Sequence, residues 1–331
     1  MRLILVLGLL LTTCQANAAD GEPARRVVVV RGASGTSEYG RMFDAWSKQW
    51  SDAAAAGKAD IIRIGPLEDS VAALPQNVSK TQLQDAISGF ADRSGVSGSE
   101  LWIVLLGHGT FDGLTARFNL EGTDVSADEL GRWLDPVKCP TAVINCSSAS
   151  GPFLQRLAAS NRTVITATKS GAEVNFTRFG QYISEAIGDA SFDLDKDGQT
   201  SLFEAYLSAG RRTEQFYESE GRLTTEHALL DDNGDGRGVR YDWFRGIRLI
   251  KNSQDGTAID GAQAHQLHLV RSQAEQQLDP QVRAERDRLE QAVIELRSRK
   301  ASFASEDEYY LELERLLVLL AEVFEASERG D

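Results

Sequence analysis

Hydrophobic residues in this chain form short unbroken runs, separated by longer stretches in which they recur at three- and four-residue spacing. The runs are VVVV (27–30), DIIRIG (60–65), WIVLL (102–106), AVIN (142–145) and RTVITAT (162–168). Unbroken runs rich in Val and Ile are typical of strands covered on both faces, and the spacing between them is helical. Alternating strands and helices predict a mostly parallel sheet, so we expect a doubly wound α/β domain over residues 24–250.

The last part of the chain, 262–331, has a different pattern. It is highly charged, and its apolar residues keep helical spacing, as at Leu313, Leu316 and Leu320. Asp279-Pro280 and the stretch 302–305 interrupt it, which predicts two or three helices. We expect a helical hairpin packed on itself or on the α/β domain. The alternative is a coiled-coil arm through which the chain self-associates.

Length and hydrophobic content indicate the size of the core, and net charge indicates which partners the chain can bind. The chain has 331 residues, of which 42% are hydrophobic, and carries a net charge of −14. This length is enough for one sizeable core with an appendage. An acidic surface repels phosphate backbones, so we expect no nucleic-acid partner.

The N-terminus has the pattern of a signal peptide. Arg2 precedes an apolar run at 3–11, and the run is followed by the tripeptide Ala-Asn-Ala at 16–18. We predict cleavage after Ala18, a secreted or periplasmic protein, and no transmembrane segment in the mature chain, since the run is too short to span a bilayer. Cys14 allows an alternative, a lipoprotein anchor, which the preceding residues 11–13 fit less well.

Two further cysteines, Cys139 and Cys146, flank the predicted strand at 142–145. Seven extended residues separate their α-carbons by about 20 Å. A disulfide requires a separation below about 7 Å. Cys146 is therefore expected to be a free thiol, or to pair only with another molecule.

His108 and Cys146 follow successive predicted strands, WIVLL and AVIN. In an open parallel sheet, ligands bind beyond the carboxyl ends of the strands, so we expect the imidazole and the thiol to face each other across one crevice. A nearby imidazole favours the nucleophilic thiolate. Gly107 and Gly109 allow close backbone approach, and the N–H groups of Gly109 and Cys146 are candidate oxyanion donors.

This arrangement resembles the caspase/legumain-type cysteine peptidases, particularly the legumain family and its bacterial relatives. The resemblance covers residues 26–190 and rests on IVLLGHGTFDG (103–113), TAVINCSSASG (141–151) and VITATKSG (164–171). It implies a caspase-like αβα sandwich, with His108 and Cys146 as a catalytic dyad.

The sequence departs from that family just before the predicted nucleophile. Where the family usually has an acidic or amide residue and then Ala, this chain has Ile144 and Asn145. Asparagine specificity is therefore not carried over, although Asn145 remains a candidate substrate-binding residue by its position. Glu173 follows the predicted strand that borders the family's specificity pocket. We expect it to line that pocket and to favour a basic substrate side chain.

A second motif, DLDKDGQTSLFE (193–204), matches a calcium-binding EF-hand loop at every defining position. Gly198 makes the sharp turn, and helical sequence flanks the loop on both sides. We therefore predict calcium as a cofactor. The expected ligand positions are Asp193, Asp195, Asp197, Gln199 (through its carbonyl), Ser201 (through water) and Glu204 (bidentate).

A related acidic turn spans 231–242. Asp231, Asn233, Asp235 and Gly236 fit the first half of the motif, but its last position is Asp242 rather than glutamate. The turn is either a second metal loop or an ordinary Asn-Gly turn.

Together these features predict a secreted or periplasmic cysteine endopeptidase that acts on a protein or peptide and is stabilised by calcium. An acyl-enzyme can also be transferred to an amine, so a transamidase or peptide ligase is an alternative use of the same dyad. The alternative from another class is a catalytically inactive calcium-binding interaction protein on a caspase-like scaffold.

Overall fold

The computed structural model describes residues 24–66, 78–251 and 259–329. The predicted signal peptide, 1–18, lies outside these residues. The strands are β1 (Arg25–Arg31), β2 (Asp60–Ile64), β3 (Glu100–Leu106), β4 (Gly109–Phe111), β5 (Ala116–Phe118), β6 (Val125–Ser126), β7 (Thr141–Asn145), β8 (Arg162–Thr166), β9 (Leu229–Asp231), β10 (Phe244–Arg245) and β11 (Arg248–Leu249). The helices are α1 (Ser37–Ala56), α2 (Val78–Ala91), α3 (Ala127–Leu134), α4 (Gly151–Leu157), α5 (Phe179–Ala186), α6 (Leu202–Ser219), α7 (Ala262–Gln266), α8 (Gln273–Gln277), α9 (Pro280–Ser298) and α10 (Glu306–Arg329).

The central sheet has the strand order β2-β1-β3-β7-β8-β9. Its first five strands are parallel, and β9 runs antiparallel to β8. The predicted α/β fold with a mostly parallel sheet is confirmed, and each predicted apolar run overlaps one of the five parallel strands. In the sheet, β2 pairs with one side of β1, and β3, which comes later in the chain, pairs with the other side. The carboxyl ends of β1 and β3 therefore border a topological switch point, where ligands bind in sheets of this kind.

Two apolar cores cover the faces of the sheet because alternate residues of each strand point to opposite sides. Trp102, Val104 and Leu106 of β3 pack with residues of α1, α5 and α6. Leu101, Ile103 and Leu105 pack with residues of α2, α3 and α4. Helices therefore cover both faces, and the loops that leave the carboxyl ends of the strands stay accessible at one edge.

The C-terminal helices α9 and α10 pack against each other around a small core of their own, formed by Leu289, Val293, Leu296, Tyr309 and Leu316. The segment leading to them is tied to the sheet by Arg25, whose guanidinium donates to the carbonyls of His268 and Leu269. Among the described residues, no helix has the length and apolar character needed to cross a membrane.

Candidate active site

His108 lies two residues beyond β3, and its imidazole is held by the loop that follows β1. Its Nε2 is 3.2 Å from the carbonyl oxygen of Ser34. A carbonyl oxygen can only accept, so this bond assigns the proton to Nε2 and leaves the Nδ1 lone pair for another partner. The imidazole is therefore in the tautomer that a general base requires.

Aromatic rings fix the orientation of His108. Tyr39 and Phe43 meet the imidazole edge-on, with ring centroids 5.1 and 5.4 Å away. Phe176 stacks on Tyr39 at 4.3 Å and is 6.1 Å from His108. These contacts restrict both the rotation of the imidazole and the access of water to it.

Cys146 does not open onto this crevice. Its side chain is fully buried in the core on the α1 and α5 side of the sheet. A Cβ added to Gly180 would lie 3.0 Å from the Cys146 Cβ, which shows how tightly the thiol is packed. Burial raises the pKa of the Cys146 thiol far above its usual range, and the negative charge of Glu226 adds to that effect. The thiol is therefore not exposed in this structure, and its catalytic pairing with His108 stays a prediction.

The backbone of Cys146 is also committed to the sheet, because its N–H donates to the carbonyl of Leu105 at 2.9 Å. It is not free to stabilise an oxyanion. The expectation that no disulfide joins Cys139 and Cys146 is confirmed, since both thiols are free and buried.

Ser148 is the residue of the following turn that contacts the loop of His108. Its Oγ is 3.3 Å from the Gly109 nitrogen and 3.2 Å from the Gly109 carbonyl oxygen. The strands are in register up to Leu105 of β3 and Asn145 of β7, and the two loops meet beyond those strand ends. Sequence reasoning did not single out Ser148, because a contact between two loops leaves no local signal in the sequence.

The turn that presents Ser148 is tightly constrained. Ala149 has a φ of 51°, a left-handed conformation that is uncommon for a residue with a side chain. Its N–H donates to the carbonyl of Glu173 at 2.8 Å. Such strained conformations persist only where the surroundings enforce them, and they cluster at functional sites.

Asn145, the last residue of β7, holds this turn through hydrogen bonds of its side chain. Its side chain is fully buried, and its Oδ1 accepts from the N–H and the hydroxyl of Ser147 at 3.0 and 2.7 Å. The side chain is bonded within its own loop and holds the segment that carries Ser148, and its substrate-binding role stays a prediction.

Glu173 lies close to the same turn, but its carboxylate already has hydrogen-bond partners. Its carboxylate accepts from the backbone N–H groups of Lys169 and His227 and pairs with the His227 imidazole. The side chain is only 12% exposed. The structure therefore gives no support to the prediction that Glu173 presents an open negative charge to a basic substrate side chain.

The predicted calcium loop brings three carboxylates together. Ligand oxygens of Asp193, Asp195 and Asp197 lie within 4.8 Å of one another. Asp193 accepts from the N–H groups of Lys196 and Gly198, and both of these residues have positive φ. Converging carboxylate oxygens are the donors that calcium prefers.

The end of the loop adjoins the start of α6. Glu204 is fully buried, and one of its oxygens accepts from the N–H groups of Leu194 and Asp195 at 2.6 and 3.2 Å. Its other oxygen accepts from the N–H and hydroxyl of Ser201, the N-cap of α6. The Gln199 side chain bridges Asp197 and the N–H of Ser272. Glu204 therefore closes the loop onto its first residues.

The second acidic turn has the same backbone hydrogen bonds as the first. Asp231 accepts from the N–H groups of Gly234 and Gly236 at 2.9 and 2.8 Å, and both glycines have positive φ. Asp242 is directed elsewhere, since it pairs with Lys251 and Arg240. The turn shares the conformation of the first loop, and its closing carboxylate comes from Asp260, whose Oδ1 accepts from the N–H groups of Asp232 and Asn233 at 3.0 and 3.2 Å.

Comparison with solved structures returns two caspases and a third protein at low similarity. The Drosophila initiator caspase Dronc is 12% identical with a TM-score of 0.41, covering 66% of this chain and 83% of that one. Caspase-1 from Spodoptera frugiperda is 9% identical with a TM-score of 0.40, covering 66% and 90%. A protein from Geobacter sulfurreducens is 11% identical with a TM-score of 0.40, covering 62% and 92%. Similarity at this level does not establish a shared activity. No protein-family model and no curated protein matches the sequence.

Proposed function

We propose that this chain is a peptidase-type hydrolase in which His108 is the general base and Ser148 the nucleophile. One observation carries the proposal. The Ser148 hydroxyl lies against the backbone of Gly109, the residue that follows His108, and the His108 Nε2 is already bonded to the Ser34 carbonyl. A nucleophile, a base and a group that orients the base are the parts that nucleophilic catalysis requires.

The reaction begins with attack of Ser148 Oγ on the scissile carbonyl while its proton passes to His108 Nδ1. As Ser148 turns towards the substrate, the Gly109 N–H is released and can hold the oxyanion. His108 then gives the proton to the leaving amine, and an ester with Ser148 remains. Water, activated by the same imidazole, hydrolyses that ester. An amine in place of water would give peptide-bond transfer, the reaction of a transamidase or ligase.

Ser148, rather than the predicted Cys146, is proposed as the nucleophile for a physical reason. A hydroxyl is a weak nucleophile and depends on an adjacent base, which His108 supplies. The Cys146 thiol is enclosed by core side chains, and burial opposes its ionisation to the reactive thiolate.

Calcium is proposed as a structural cofactor. Asp193, Asp195 and Asp197 would hold it, with the Gln199 carbonyl, a water near Ser201 and Glu204 completing the oxygen ligands. The ion would neutralise three adjacent carboxylates between α5 and α6. The helix α5 connects the two regions. It begins just after the segment 169–178, which contacts the Ser148 turn, and it ends shortly before the calcium loop. We also propose export across a membrane, based on residues 1–18.

The test is a fluorogenic peptide library assayed with the mature protein in millimolar calcium. Ser148→Ala should reduce hydrolysis at least a hundredfold, whereas Cys146→Ala should retain it in the folded fraction measured by circular dichroism. A fluorophosphonate probe should label Ser148. Hydrolysis that survives Ser148→Ala and disappears in folded Cys146→Ala would show that the thiol is the nucleophile.

A second candidate is a calcium-stabilised binding protein without turnover. It is favoured by the enclosure of Ser148, which is only 4% exposed and whose hydroxyl is bonded to the Gly109 peptide. This candidate predicts no hydrolysis of any library peptide and no labelling by the probe, together with an intact calcium response.

A further inference from the structure

A cavity of about 830 Å³ lies between the loop 193–204 and the C-terminal helices. Its wall is formed by residues of that loop, of the segment from α7 to α8, and of α9 and α10. Pockets that hold small-molecule ligands have volumes of about 300–1,000 Å³, so this cavity has the size of a ligand site. The proposed hydrolysis uses none of the residues in its wall.

Negative charge is in excess in the wall of this cavity. Arg286 is the only arginine or lysine among the described residues that line it, whereas the carboxylates that line it are Asp195, Asp197, Glu275, Asp279, Asp287 and Glu290. Arg283 lies outside the wall but pairs with Glu275. The two arginines and a calcium ion in the loop would supply four positive charges against six negative ones. With neutral histidines, two negative charges therefore stay unbalanced.

Glu290 of α9 carries part of that excess. Its Oε1 is 4.0 Å from Arg286 Nε, beyond hydrogen-bond distance, since the Arg286 guanidinium pairs more closely with Glu275 and Asp287, both at 2.7 Å. Among the described residues, none donates a hydrogen bond to the Glu290 carboxylate. Burial raises the pKa of its carboxyl group, and the charge of Arg286 offsets this only in part. Glu290 therefore offers the cavity an acceptor that lacks a donor.

His268 offers a second acceptor from the opposite part of the wall. The residue is only 8% exposed, and its Nδ1 is 3.3 Å from the Gln266 carbonyl oxygen, which can only accept, so Nδ1 carries the proton. Its Nε2 is buried without a hydrogen-bond partner in the described part of the chain, and Asp197 Oδ2 is 3.9 Å away. In the neutral ring this nitrogen accepts. A buried polar atom without a partner is uncommon and indicates a donor that the chain does not supply.

These acceptors are too widely spaced for a single metal ion. Outside Asp193, Asp195 and Asp197, no three His, Cys, Asp or Glu side chains among the described residues bring ligand atoms within 4.8 Å of one another. Apolar side chains occupy other parts of the wall, namely those of Leu278, Val282, Val323 and Phe324. A fitting ligand therefore has cationic donors at separate points and an apolar chain between them.

We propose that this cavity binds an aliphatic diamine or polyamine, whose ammonium groups donate to Glu290 and to His268 Nε2 while its methylene chain packs on the apolar wall. An ammonium group has three donors and no acceptor, which matches carboxylates and an imidazole lone pair. Methylene stems bury well on apolar surface when their charged ends reach polar groups. The bound amine would link the loop 193–204 to α9 and α10. This site does not depend on the proposed hydrolytic activity.

The experiment titrates spermidine into the mature full chain by calorimetry, in millimolar calcium so that the loop 193–204 is already filled. We expect one equivalent to bind, a monoamine to bind at least tenfold more weakly, and an alkane diol of similar length not to bind. Glu290→Gln should weaken spermidine binding by about tenfold, because one hydrogen bond between charged groups is lost. His268→Phe, which keeps a ring but removes the acceptor, should have the same effect in its folded fraction.

Glu285→Gln is the matched control, because Glu285 lies on the same helix and pairs with Arg288 outside the cavity. It changes the net charge by the same amount and should change the affinity less than twofold. Spermidine should also slow amide hydrogen exchange in α9 and α10 of the wild type but not of Glu290→Gln. Equal weakening in Glu290→Gln and Glu285→Gln overturns the proposal, since the amine then responds only to the acidic surface. So does a wild type that binds no spermidine.

Discussion

Gly109 lies against the turn that carries Ser148, and it is the residue where a single added carbon has the clearest consequence. A Cβ at this position would be 2.3 Å from the Ser148 carbonyl oxygen and 2.6 Å from Ser147 Oγ. Neither atom can move without displacing the constrained turn. We expect Gly109→Ala to cost about 1–3 kcal/mol of unfolding free energy, measured by urea denaturation, and to abolish any hydrolysis.

Gly89 provides the control for that substitution. It lies in α2, and a Cβ there would meet no heavy atom within 4 Å. Gly89→Ala should raise the free energy of unfolding by about 0.5–1 kcal/mol, because alanine loses less backbone entropy in a helix. Equal effects at both positions would contradict the packing described around Gly109.

Glu226 is the residue whose ionisation should be visible in the stability of the protein. Burial raises its pKa to about 7, partly offset by donation from the N–H groups of Arg178 and Phe179 and the Tyr217 hydroxyl. Between the usual pKa of 4.5 and about 7 the folded state binds more protons than the unfolded state. The free energy of unfolding should therefore fall as pH rises through this window, by an amount on the order of 3 kcal/mol.

Urea denaturation of wild type and Glu226→Gln between pH 4 and about 8 isolates this contribution, because the glutamine cannot titrate. The difference between the two profiles should slope across the window and flatten outside it. Tyr217→Phe removes a donor that favours the carboxylate, so it should move the upper end of the slope to higher pH. Parallel profiles for wild type and Glu226→Gln would contradict the assignment.

At the scale of elements, the loop 193–204 and α6 form one unit. Glu204 both closes the loop and completes the capping box of α6 with Ser201. Calcium at 100 times its dissociation constant would add about 2.7 kcal/mol of stability. We expect calcium to raise the melting temperature of the stripped protein, and Glu204→Gln to remove most of that rise, because one carboxylate oxygen is lost.

The helix α3 supplies the matched control. Ser126 and Glu129 form the same capping box there, without an acidic loop before it. Glu129→Gln should lower stability with and without calcium by the same amount, leaving the calcium-induced rise unchanged. A calcium response that is absent from the wild type, or intact in Glu204→Gln, would identify the loop as an ordinary acidic turn.

At the scale of the whole molecule, α9 and α10 are stabilised by a core separate from the two that cover the sheet. Leu296 is 2% exposed within that small core, whereas Leu311 on α10 is 70% exposed. Leu296→Ala should cost about 2–5 kcal/mol of local stability and increase amide hydrogen exchange in α9 and α10. Exchange in β3 and β7 should not change.

Leu311→Ala, the control, should leave exchange in both helices as it is in the wild type. Faster exchange throughout the sheet in Leu296→Ala would show that the hairpin and the α/β domain unfold together. Repeating the amide exchange measurement at lower protein concentration tests whether α9 and α10 depend on a partner chain. Helices that are stabilised by a partner would exchange faster on dilution, whereas a hairpin that folds on its own core would not.

The sequence by itself determined the elements and the class of fold. Short unbroken runs rich in Val and Ile are typical of strands covered on both faces, so five strands and a parallel sheet followed from local pattern. His108 and the spacing of acidic residues at 193–204 were also readable, because a strand end and a twelve-residue loop are local features. The tertiary structure decided what surrounds the predicted dyad. It packs Cys146 in the core and brings the buried Ser148 hydroxyl against the Gly109 backbone, because contacts between loops depend on how the strands that carry them pair. It likewise decided the partners of Glu173 and brought His265 and His268 to Asp195 and Asp197, across more than sixty residues of chain, which no local pattern encodes.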